Sequence, residues 1–175
     1  MPRAIVSCAM TAVVALFFGP GNAGADQAQI ARGKYLVQLG GCNDCHTPGY
    51  FRGKPDFKRY LGGSDVGFEV PGVGVVAGPN LTSDPETGLG RWTTGQITKA
   101  LRTGVRPDGR VLSPVMPWPA FANLTPADVD AVVAFLKSLP PVKHEVPGPF
   151  SANQEPSIFV MKLTPPKAAE KNTSP

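Results

Sequence analysis

The sequence reads Cys42-Asn43-Asp44-Cys45-His46 within its first third, and this segment contains two of the three cysteines of the chain. The C-x-x-C-H spacing is the attachment signature of c-type haem. Cysteines three positions apart present their sulfur atoms from one helical turn, where both can form thioether bonds to haem vinyl groups. His46 follows directly and can place its imidazole under the iron as the proximal ligand. The segment therefore predicts one covalently bound haem c, attached through Cys42 and Cys45 and ligated by His46.

Two other kinds of site use closely spaced cysteines: a structural zinc site and a thioredoxin-like dithiol. Structural zinc usually takes four ligands, often from a second cysteine pair or a histidine pair. Outside the motif the sequence has one further histidine, His144, which stands among prolines far along the chain. A thioredoxin-like dithiol belongs to a βαβ context, which the sequence does not predict. Haem attachment therefore explains the segment better than either alternative.

A haem that only transfers electrons needs a second axial ligand, and methionine or histidine is the usual choice. Met116 lies in the segment Pro114-Val115-Met116-Pro117, where the prolines favour a rigid, non-helical backbone. This setting suits a fixed ligand better than a core-filling side chain, so the sequence predicts Met116 as the distal ligand. Met161 is interpreted as core filling, and His144 remains an alternative ligand.

Residues 1–25 have the order of a secretory signal peptide. One positive charge in Met1 to Arg3 precedes an apolar segment from Ala4 to Phe18, and Ala23-Gly24-Ala25 supplies a cleavage site. The apolar segment is shorter than the roughly 20 residues that span a bilayer, which favours cleavage over a membrane anchor. We therefore expect removal of residues 1–25, together with Cys8, and export to the periplasm, where free thiols seldom persist.

The rest of the chain predicts helices separated by long loops. Helical spacing of apolar residues predicts helices over 26–40, from Thr93 or Thr94 to Thr103, and from Pro126 to about residue 139, with Thr125 as the cap of the last one. Residues 47–90 are rich in glycine and proline and predict loops with one short hairpin around 68–76. The apolar face of the first helix is expected to comprise Ile30, Gly33 and Val37, widened by Tyr35 and Leu36.

The order of the motifs resembles that of class I cytochromes c. Gly78-Pro79-Asn80-Leu81 follows the C-x-x-C-H segment, and the methionine segment and a C-terminal helix come after it. Longer stretches, residues 78–92, 100–110, 116–118 and 136–142, look like the cytochrome c subunits of bacterial membrane-associated dehydrogenases. The resemblance covers about residues 30–142. It implies an all-α class I cytochrome c fold, with helices around one covalently bound haem and long loops.

The resemblance also implies roles for two further residues. In such folds the proline of the Gly-Pro-Asn-Leu segment accepts a hydrogen bond from the haem histidine, so the Pro79 carbonyl is expected to accept from His46 and to fix its ring. Trp92 has two open roles, either an indole N–H that reaches a haem propionate or a core aromatic residue. The expected division of the chain is a signal peptide (1–25), a monohaem cytochrome c domain (26–142) and a Pro-rich C-terminal tail (143–175).

Ligation of the iron by both His46 and Met116 leaves no open position for a substrate. The expected function is therefore electron transfer between redox proteins rather than catalysis. The expected partners are a dehydrogenase subunit and a respiratory chain component, with peripheral membrane association through a partner. The formal charge of +4 is too small to support nucleic-acid binding. The alternative is a haem enzyme of the peroxidase type, in which the distal ligand is labile.

One segment departs from the small class I cytochromes, and a second segment, in the tail, is unusually apolar. The stretch between His46 and Pro79 is longer, and its basic residues alternate with aromatic ones over residues 50–60. It is interpreted either as a solvated loop or as a partner-docking surface. The tail contains the apolar segment Ile158 to Leu163, and leaving each large side chain in water costs about 1.5–3 kcal/mol. This segment is expected to pack as an arm over its own domain or to dock onto a partner.

Overall fold

The computed structural model describes residues 23–164 of the 175-residue chain. Within this range the helices are α1 (Ala23–Leu39), α2 (Cys42–His46), α3 (Thr94–Thr103), α4 (Trp118–Phe121) and α5 (Pro126–Ser138). The strands are β1 (Val66–Val70), β2 (Gly74–Ala77) and β3 (Phe159–Met161), and two 3-10 turns cover Tyr50–Arg52 and Phe57–Arg59. None of the helices described is both long and apolar enough to cross a membrane. Residues 1–22 of the predicted signal peptide (1–25) lie outside the described range.

The ends of α3 and α5 follow from local sequence signals. The Thr93 side chain accepts a hydrogen bond from the Gln96 backbone N–H while the Gln96 side chain accepts from the Thr93 N–H, which completes a capping box. Gly104, at φ 69°, ends α3 in the left-handed conformation that glycine adopts easily. Thr125 caps α5 by accepting from the Asp128 N–H, and Pro126 follows at the first helical position. These are the boundaries that the sequence predicts.

The core forms where α1 crosses α5. Val37 of α1 is almost fully buried, and the predicted apolar face of α5 is buried along its length, with Val129, Val132, Val133, Phe135, Leu136 and Leu139. Gly33 lies at the crossing, where a Cβ atom would overlap the Ala131 carbonyl of α5. The prediction for Tyr35 was wrong, because this side chain is 53% exposed and lies beneath the Arg32 guanidinium. It borders solvent rather than widening the apolar face.

Substitution of Gly33 by alanine should lower the free energy of unfolding of the haem-loaded protein. The added methyl group must push α1 away from α5, and overpacking of this kind costs about 1–3 kcal/mol. Gly95→Ala is the matched control, since a Cβ at this exposed helical position meets only the Thr93 hydroxyl at 4.0 Å. Alanine favours helix over glycine, so Gly95→Ala should be neutral or stabilising in urea unfolding. Equal destabilisation by both substitutions would contradict the close crossing.

A small mixed sheet corrects the expectation of an all-α fold. Its strand order is β2-β1-β3, with β1 and β2 paired antiparallel as a hairpin and β3 paired parallel to β1. The hairpin is the one predicted around residues 68–76. The third strand comes from the C-terminal tail, so its pairing joins segments about 90 residues apart in the sequence. Such long-range pairing has no local sequence signal.

The segment after residue 142 lies against the domain as an arm. The Val142 N–H donates to Thr82 Oγ1 at 3.1 Å, and Phe150 and Val75 exchange two backbone hydrogen bonds of 2.9 Å. The arm then reaches β3, whose backbone extends the sheet. The apolar segment of the tail therefore lies back over its own domain as an arm, but only through backbone pairing. The expectation that its apolar side chains are buried was wrong, since the side chains of β3 and Leu163 remain exposed.

Candidate haem site

The C-x-x-C-H segment forms the single helical turn α2, directly after the glycine pair that ends α1. Gly41 precedes this turn in the left-handed conformation at φ 66°. Burial raises the pKa of the Cys42 thiol to about 11 and also raises that of Cys45, and the two thiols are not joined in a disulfide. A reactive dithiol needs the opposite shift, towards a stable thiolate. The environment of the cysteines therefore does not favour a thioredoxin-like site.

His46 is held in a single ring orientation. The side chain is only 6% exposed, and Nδ1 lies 2.7 Å from the Pro79 carbonyl oxygen. Because a carbonyl only accepts hydrogen bonds, Nδ1 must carry the proton, which leaves the lone pair of Nε2 available to a metal. Burial lowers the pKa of His46 and favours this neutral form. The contact between His46 and Pro79 is the one that the resemblance implies.

Gly78 allows the Pro79 segment to approach α2. A Cβ atom at Gly78 would overlap the Cys45 carbonyl and would stand 3.2 Å from His46 Nδ1. Only glycine fits this position without moving one of the two backbones. Sequence reasoning recognised Gly78 as part of a motif but assigned it no role. Its neighbours lie more than 30 positions back along the chain, so only the motif itself could have signalled the close approach.

A second loop supports the backbone of His46. The Gly63 N–H donates to the His46 carbonyl at 2.8 Å, and the Leu61 N–H donates to the buried Thr47 hydroxyl at 3.1 Å. Leu61 is fully buried at φ 57°, a conformation rare for a non-glycine residue. Surrounding structure must hold such a residue in place. Sequence reasoning missed this support, because Gly62-Gly63 signalled only a turn.

Asn80 joins the same region to the C-terminal arm. The side chain is 2% exposed, and its Nδ2 donates to the Val142 carbonyl at 2.6 Å while its Oδ1 accepts from Thr82. His144 Nδ1 donates to the Gly62 carbonyl at 2.7 Å. His144, the alternative axial ligand suggested by the sequence, thus lies at the loop that supports His46. Its observed contact is structural.

The predicted distal ligand, Met116, lies in a bend outside regular structure and is partly buried. Its N–H donates to the Ser113 carbonyl at 2.9 Å, and its carbonyl accepts from the Trp118 N–H at 2.8 Å. The Trp118 ring packs on Gly104, where a Cβ would come within 2.6 Å of it. These contacts fix the loop against the end of α3 rather than against α2. The prolines predict the rigid bend correctly, but the short helix α4 that follows was missed.

Met161, the other methionine considered, is placed differently from the expectation. The sequence suggested core filling, yet Met161 lies on β3 with 46% of its surface exposed. The interpretation was wrong because Met161 lies in a strand, and the exposure of a strand residue depends on which strand it pairs with and what covers that face. The partner of β3 is β1, which is distant in the sequence. Met161 therefore does not fill the core, and its exposed position on β3 does not suggest a buried iron ligand.

Trp92 packs at the edge of the core, with the Arg106 guanidinium 5.4 Å from the centroid of its ring. Burial lowers the pKa of Arg106, and its nearest carboxylate is Asp108 at 3.5 Å from Nε. Among the described residues, Arg106 Nε has no hydrogen-bond partner, and the buried Tyr60 hydroxyl also has none. Buried donors without partners cost stability. A carboxylate-bearing group beside Trp92 would satisfy Arg106.

An apolar cavity of about 110 Å³ adjoins Cys42. Its walls come from α1, α3, α5 and the region after Met116, through Leu36, Val37, Leu39, Gly40, Leu101, Phe121, Leu124 and Val132. The attachment turn therefore brings together two thiols, a neutral buried imidazole and an apolar cavity that Cys42 lines, while Trp92 and the partly buried Arg106, which pairs with Asp108, lie at the edge of the core. A haem has thioether-forming vinyl groups, an iron, an apolar ring and carboxylates. The residues present fit this group.

The comparison with known families agrees with this chemistry. The sequence model described as "Cytochrome c" matches residues 30–140. The chain belongs to the cytochrome c family. The matched residues are nearly the same as residues 30–142, over which the sequence resembles class I cytochromes c.

Several curated proteins are similar to the chain. It is 41% identical to the "Alcohol dehydrogenase (quinone), cytochrome c subunit" of Gluconobacter oxydans over 70% of its length. It is 33% identical over 80% of its length to the "Fructose dehydrogenase cytochrome subunit" of Gluconobacter japonicus. It is 32% identical over 70% of its length to a "Diheme cytochrome c-type" protein of Cereibacter sphaeroides. The first two names are those of cytochrome subunits of dehydrogenases, in agreement with the expectation that the chain is an electron-transfer subunit rather than the catalyst.

The chain is much shorter than the relatives it matches. The matched region makes up 24% of the alcohol dehydrogenase subunit, 28% of the fructose dehydrogenase subunit and 42% of the diheme protein. The chain therefore matches only one part of each relative, of the size of a single domain. The single C-x-x-C-H segment of this sequence predicts one haem, whereas one relative is named as a diheme protein.

Proposed function

We propose that this protein is a periplasmic electron-transfer protein with one covalent haem c, ligated by His46 and Met116. The observation that carries the proposal is the buried His46 of the C-x-x-C-H turn, whose imidazole Nδ1 donates to the Pro79 carbonyl at 2.7 Å and leaves Nε2 without a proton. When bound, the haem supplies an iron that changes between Fe(II) and Fe(III) by one electron. The residues around it determine which reactions are open to that iron.

Cys42 and Cys45 attach the group, and the hydrogen bond from His46 to Pro79 keeps the proximal ligand from rotating. Met116 would supply the second ligand to the iron and so would exclude water and small substrates. Trp92 and Arg106 would hold a propionate, because Arg106 Nε has no hydrogen-bond partner among the described residues even though the Asp108 carboxylate lies 3.5 Å away. A rigid site of this kind changes little between two oxidation states, and this suits a carrier.

We propose a dehydrogenase as the electron donor and a respiratory chain component as the acceptor. The support is similarity to a protein named as the cytochrome c subunit of a quinone alcohol dehydrogenase, over 70% of this chain. Residues 1–25 serve as the export signal, residues 26–142 form the monohaem domain, and residues 143–175 form its C-terminal tail. In this arrangement the catalytic chemistry belongs to the partner.

Ligand access distinguishes this carrier from a peroxidase. We expect the purified haem-loaded protein to show one reversible one-electron wave, slow binding of carbon monoxide in the ferrous state and no turnover of hydrogen peroxide in the ferric state. The physical reason is that both axial positions are filled by side chains held in rigid backbone. Rapid carbon monoxide binding together with peroxide turnover would instead identify a haem enzyme with a labile distal ligand.

A further inference from the structure

A cluster of apolar side chains stays exposed on the surface beside the sheet. It comprises Tyr50, Phe51, Phe159 and Met161, with Arg52 among them, and we name these five residues the aromatic patch. Phe159 is 61% exposed, and Tyr50, Phe51 and Met161 are each exposed by more than a third. Grouped exposed residues of this size are uncommon on monomeric proteins and mark interaction surfaces.

Specific contacts make the aromatic patch continuous. Strand pairing sets Phe159 beside Val66 and Met161 beside Phe68, so these residues share one face of the sheet. The Phe51 ring meets the Phe68 ring edge-to-face at 5.4 Å, and the Arg52 guanidinium lies 4.8 Å from the centroid of the Phe159 ring. The loop after His46 and the C-terminal arm therefore build one surface together.

The aromatic patch begins next to the haem-attachment turn. Tyr50 starts the 3-10 turn that follows His46 by four positions, and its N–H donates to the Thr47 carbonyl at 3.4 Å. The nearby Asp44 carboxylate, which lies between the two haem cysteines in the sequence, raises the pKa of the Tyr50 hydroxyl. The Tyr50 ring then meets the Phe51 ring at 5.5 Å. A protein bound on this surface would lie close to the thioether edge of the site.

Basic residues lie within the aromatic patch and in the segments that flank it in the sequence. Arg52 is paired with Asp65 at 2.9 Å, and Lys162 of the arm is paired with Glu69 at 2.9 Å. Lys54 and Lys58 are exposed, and neither forms an ion pair with any residue in the range 23–164. Phe, Tyr, Met and Arg are the residues enriched in protein interfaces. The complementary surface is apolar at its centre and carries carboxylates at its rim.

We propose that the aromatic patch is the docking surface for a redox partner protein whose contact surface has an apolar centre and a rim of carboxylates. This proposal rests on the proposed function, because it assigns the partner of that same haem site. The rest of the chain does not supply this occupant at its C-terminal end, where residues 165–175 contain no large apolar side chain. The aromatic centre supplies the contact area, while Lys54 and Lys58 attract the partner.

The test uses the haem-loaded full chain and a partner from its native host. A tagged wild-type chain is cross-linked in intact cells, the redox protein attached to it is identified, and that protein is then purified and reduced with dithionite. Stopped-flow absorbance gives the second-order rate constant for reduction of the haem by this partner. Hexaammineruthenium(II), a small reductant that needs no docking surface, provides a parallel rate for every variant.

Two variants test the two parts of the surface. The double variant Phe159→Ser with Met161→Ser should lower the rate constant with the partner by about tenfold, the effect of removing an interface anchor. Lys54→Glu with Lys58→Glu should lower the rate several-fold at low ionic strength, by an amount that fades as salt is added. Both pairs are exposed, so folding and the rate with hexaammineruthenium(II) should be unchanged. Tyr35→Ser is the matched control, since it is another exposed aromatic residue stacked with an arginine.

The possible failures are distinguishable. Unchanged rates in both patch variants overturn the docking surface and leave the carrier function intact. Concentration-dependent self-association that Phe159→Ser abolishes assigns the patch to a second copy instead. Binding to phosphatidylglycerol vesicles that the patch variants lose assigns it to a membrane surface. If hexaammineruthenium(II) reduces the wild-type haem but no cross-linked redox protein does so, both the docking surface and the proposed function fail.

Discussion

Replacing Cys42 and Cys45 together by alanine should leave a polypeptide without covalently attached haem. Both sulfur atoms are proposed to be consumed in thioether bonds, so removal of both leaves only non-covalent contacts to hold the group. After acid–organic extraction the wild-type chain should keep its haem absorbance, and its intact mass should exceed that of residues 26–175 by one haem. The double variant should lose this absorbance completely, because extraction disrupts axial ligation and packing but not thioether bonds.

The same substitution should also destabilise the fold. Without haem, the described residues leave an apolar cavity beside Cys42 and leave Arg106 Nε and the Tyr60 hydroxyl without hydrogen-bond partners. A tightly held ligand adds its binding free energy to folding, about 4 kcal/mol at a thousandfold excess over Kd. Asn43→Ala is the control, since it alters the same helical turn but keeps both sulfur atoms. A wild-type chain that carries zinc, or a Cys42–Cys45 disulfide, in place of haem would refute the proposed site.

The sequence was sufficient for features set by neighbouring residues. The capping threonines, Gly104 and Pro126 mark the ends of α3 and α5 because a helix end is satisfied by residues within one turn of it. The hairpin of β1 and β2 was also predictable from its turn residues. The C-x-x-C-H spacing specified the haem chemistry for the same reason, since its parts lie within five residues.

Features that join distant segments were not predictable. The Asn80 amide bonds to Val142, 62 positions further on, and β3 pairs with β1 across a comparable distance. Neither contact leaves a periodic pattern in either segment. The exposed position of Met161 follows from the same pairing, so its interpretation as core filling failed for a physical reason. Leu61 was missed because its left-handed conformation depends on surroundings that no local residue specifies.

The two proposed axial ligands are supported in different ways, and this affects what mutation can reveal. His46 is fixed by the Pro79 carbonyl and by the loop whose Gly63 N–H binds its backbone. Met116 has backbone contacts only within its own loop, which the Trp118 ring fastens onto Gly104. Removal of the Met116 side chain should therefore leave the attachment turn and its support in place. The distal position can be changed without dismantling the proximal one.

Met116→Ala and Met116→His should both keep the haem covalently attached and lower its reduction potential. A thioether sulfur favours Fe(II), whereas an imidazole or a water molecule favours Fe(III). The expected decrease is a substantial part of the roughly 0.8 V over which axial ligands set haem potentials. Potentiometric titration measures it, and the weak long-wavelength band of the ferric protein, which reports the iron–sulfur bond, should vanish in both variants. Met116→Ala should also bind carbon monoxide rapidly, since its distal position is open.

Met161→Leu is the matched control for this prediction, because it removes the other sulfur of residues 26–175 that is not a cysteine. Its side chain lies exposed on β3, so the potential and the long-wavelength band should both be unchanged. His144→Ala separates the remaining alternative: its Nδ1 binds the Gly62 carbonyl, so this substitution should lower stability without changing the ferric spectrum. The prediction fails if the Met116 variants keep the wild-type potential and the long-wavelength band. In that case, loss of the band in Met161→Leu would identify Met161 as the distal ligand, and a changed spectrum in His144→Ala would identify His144.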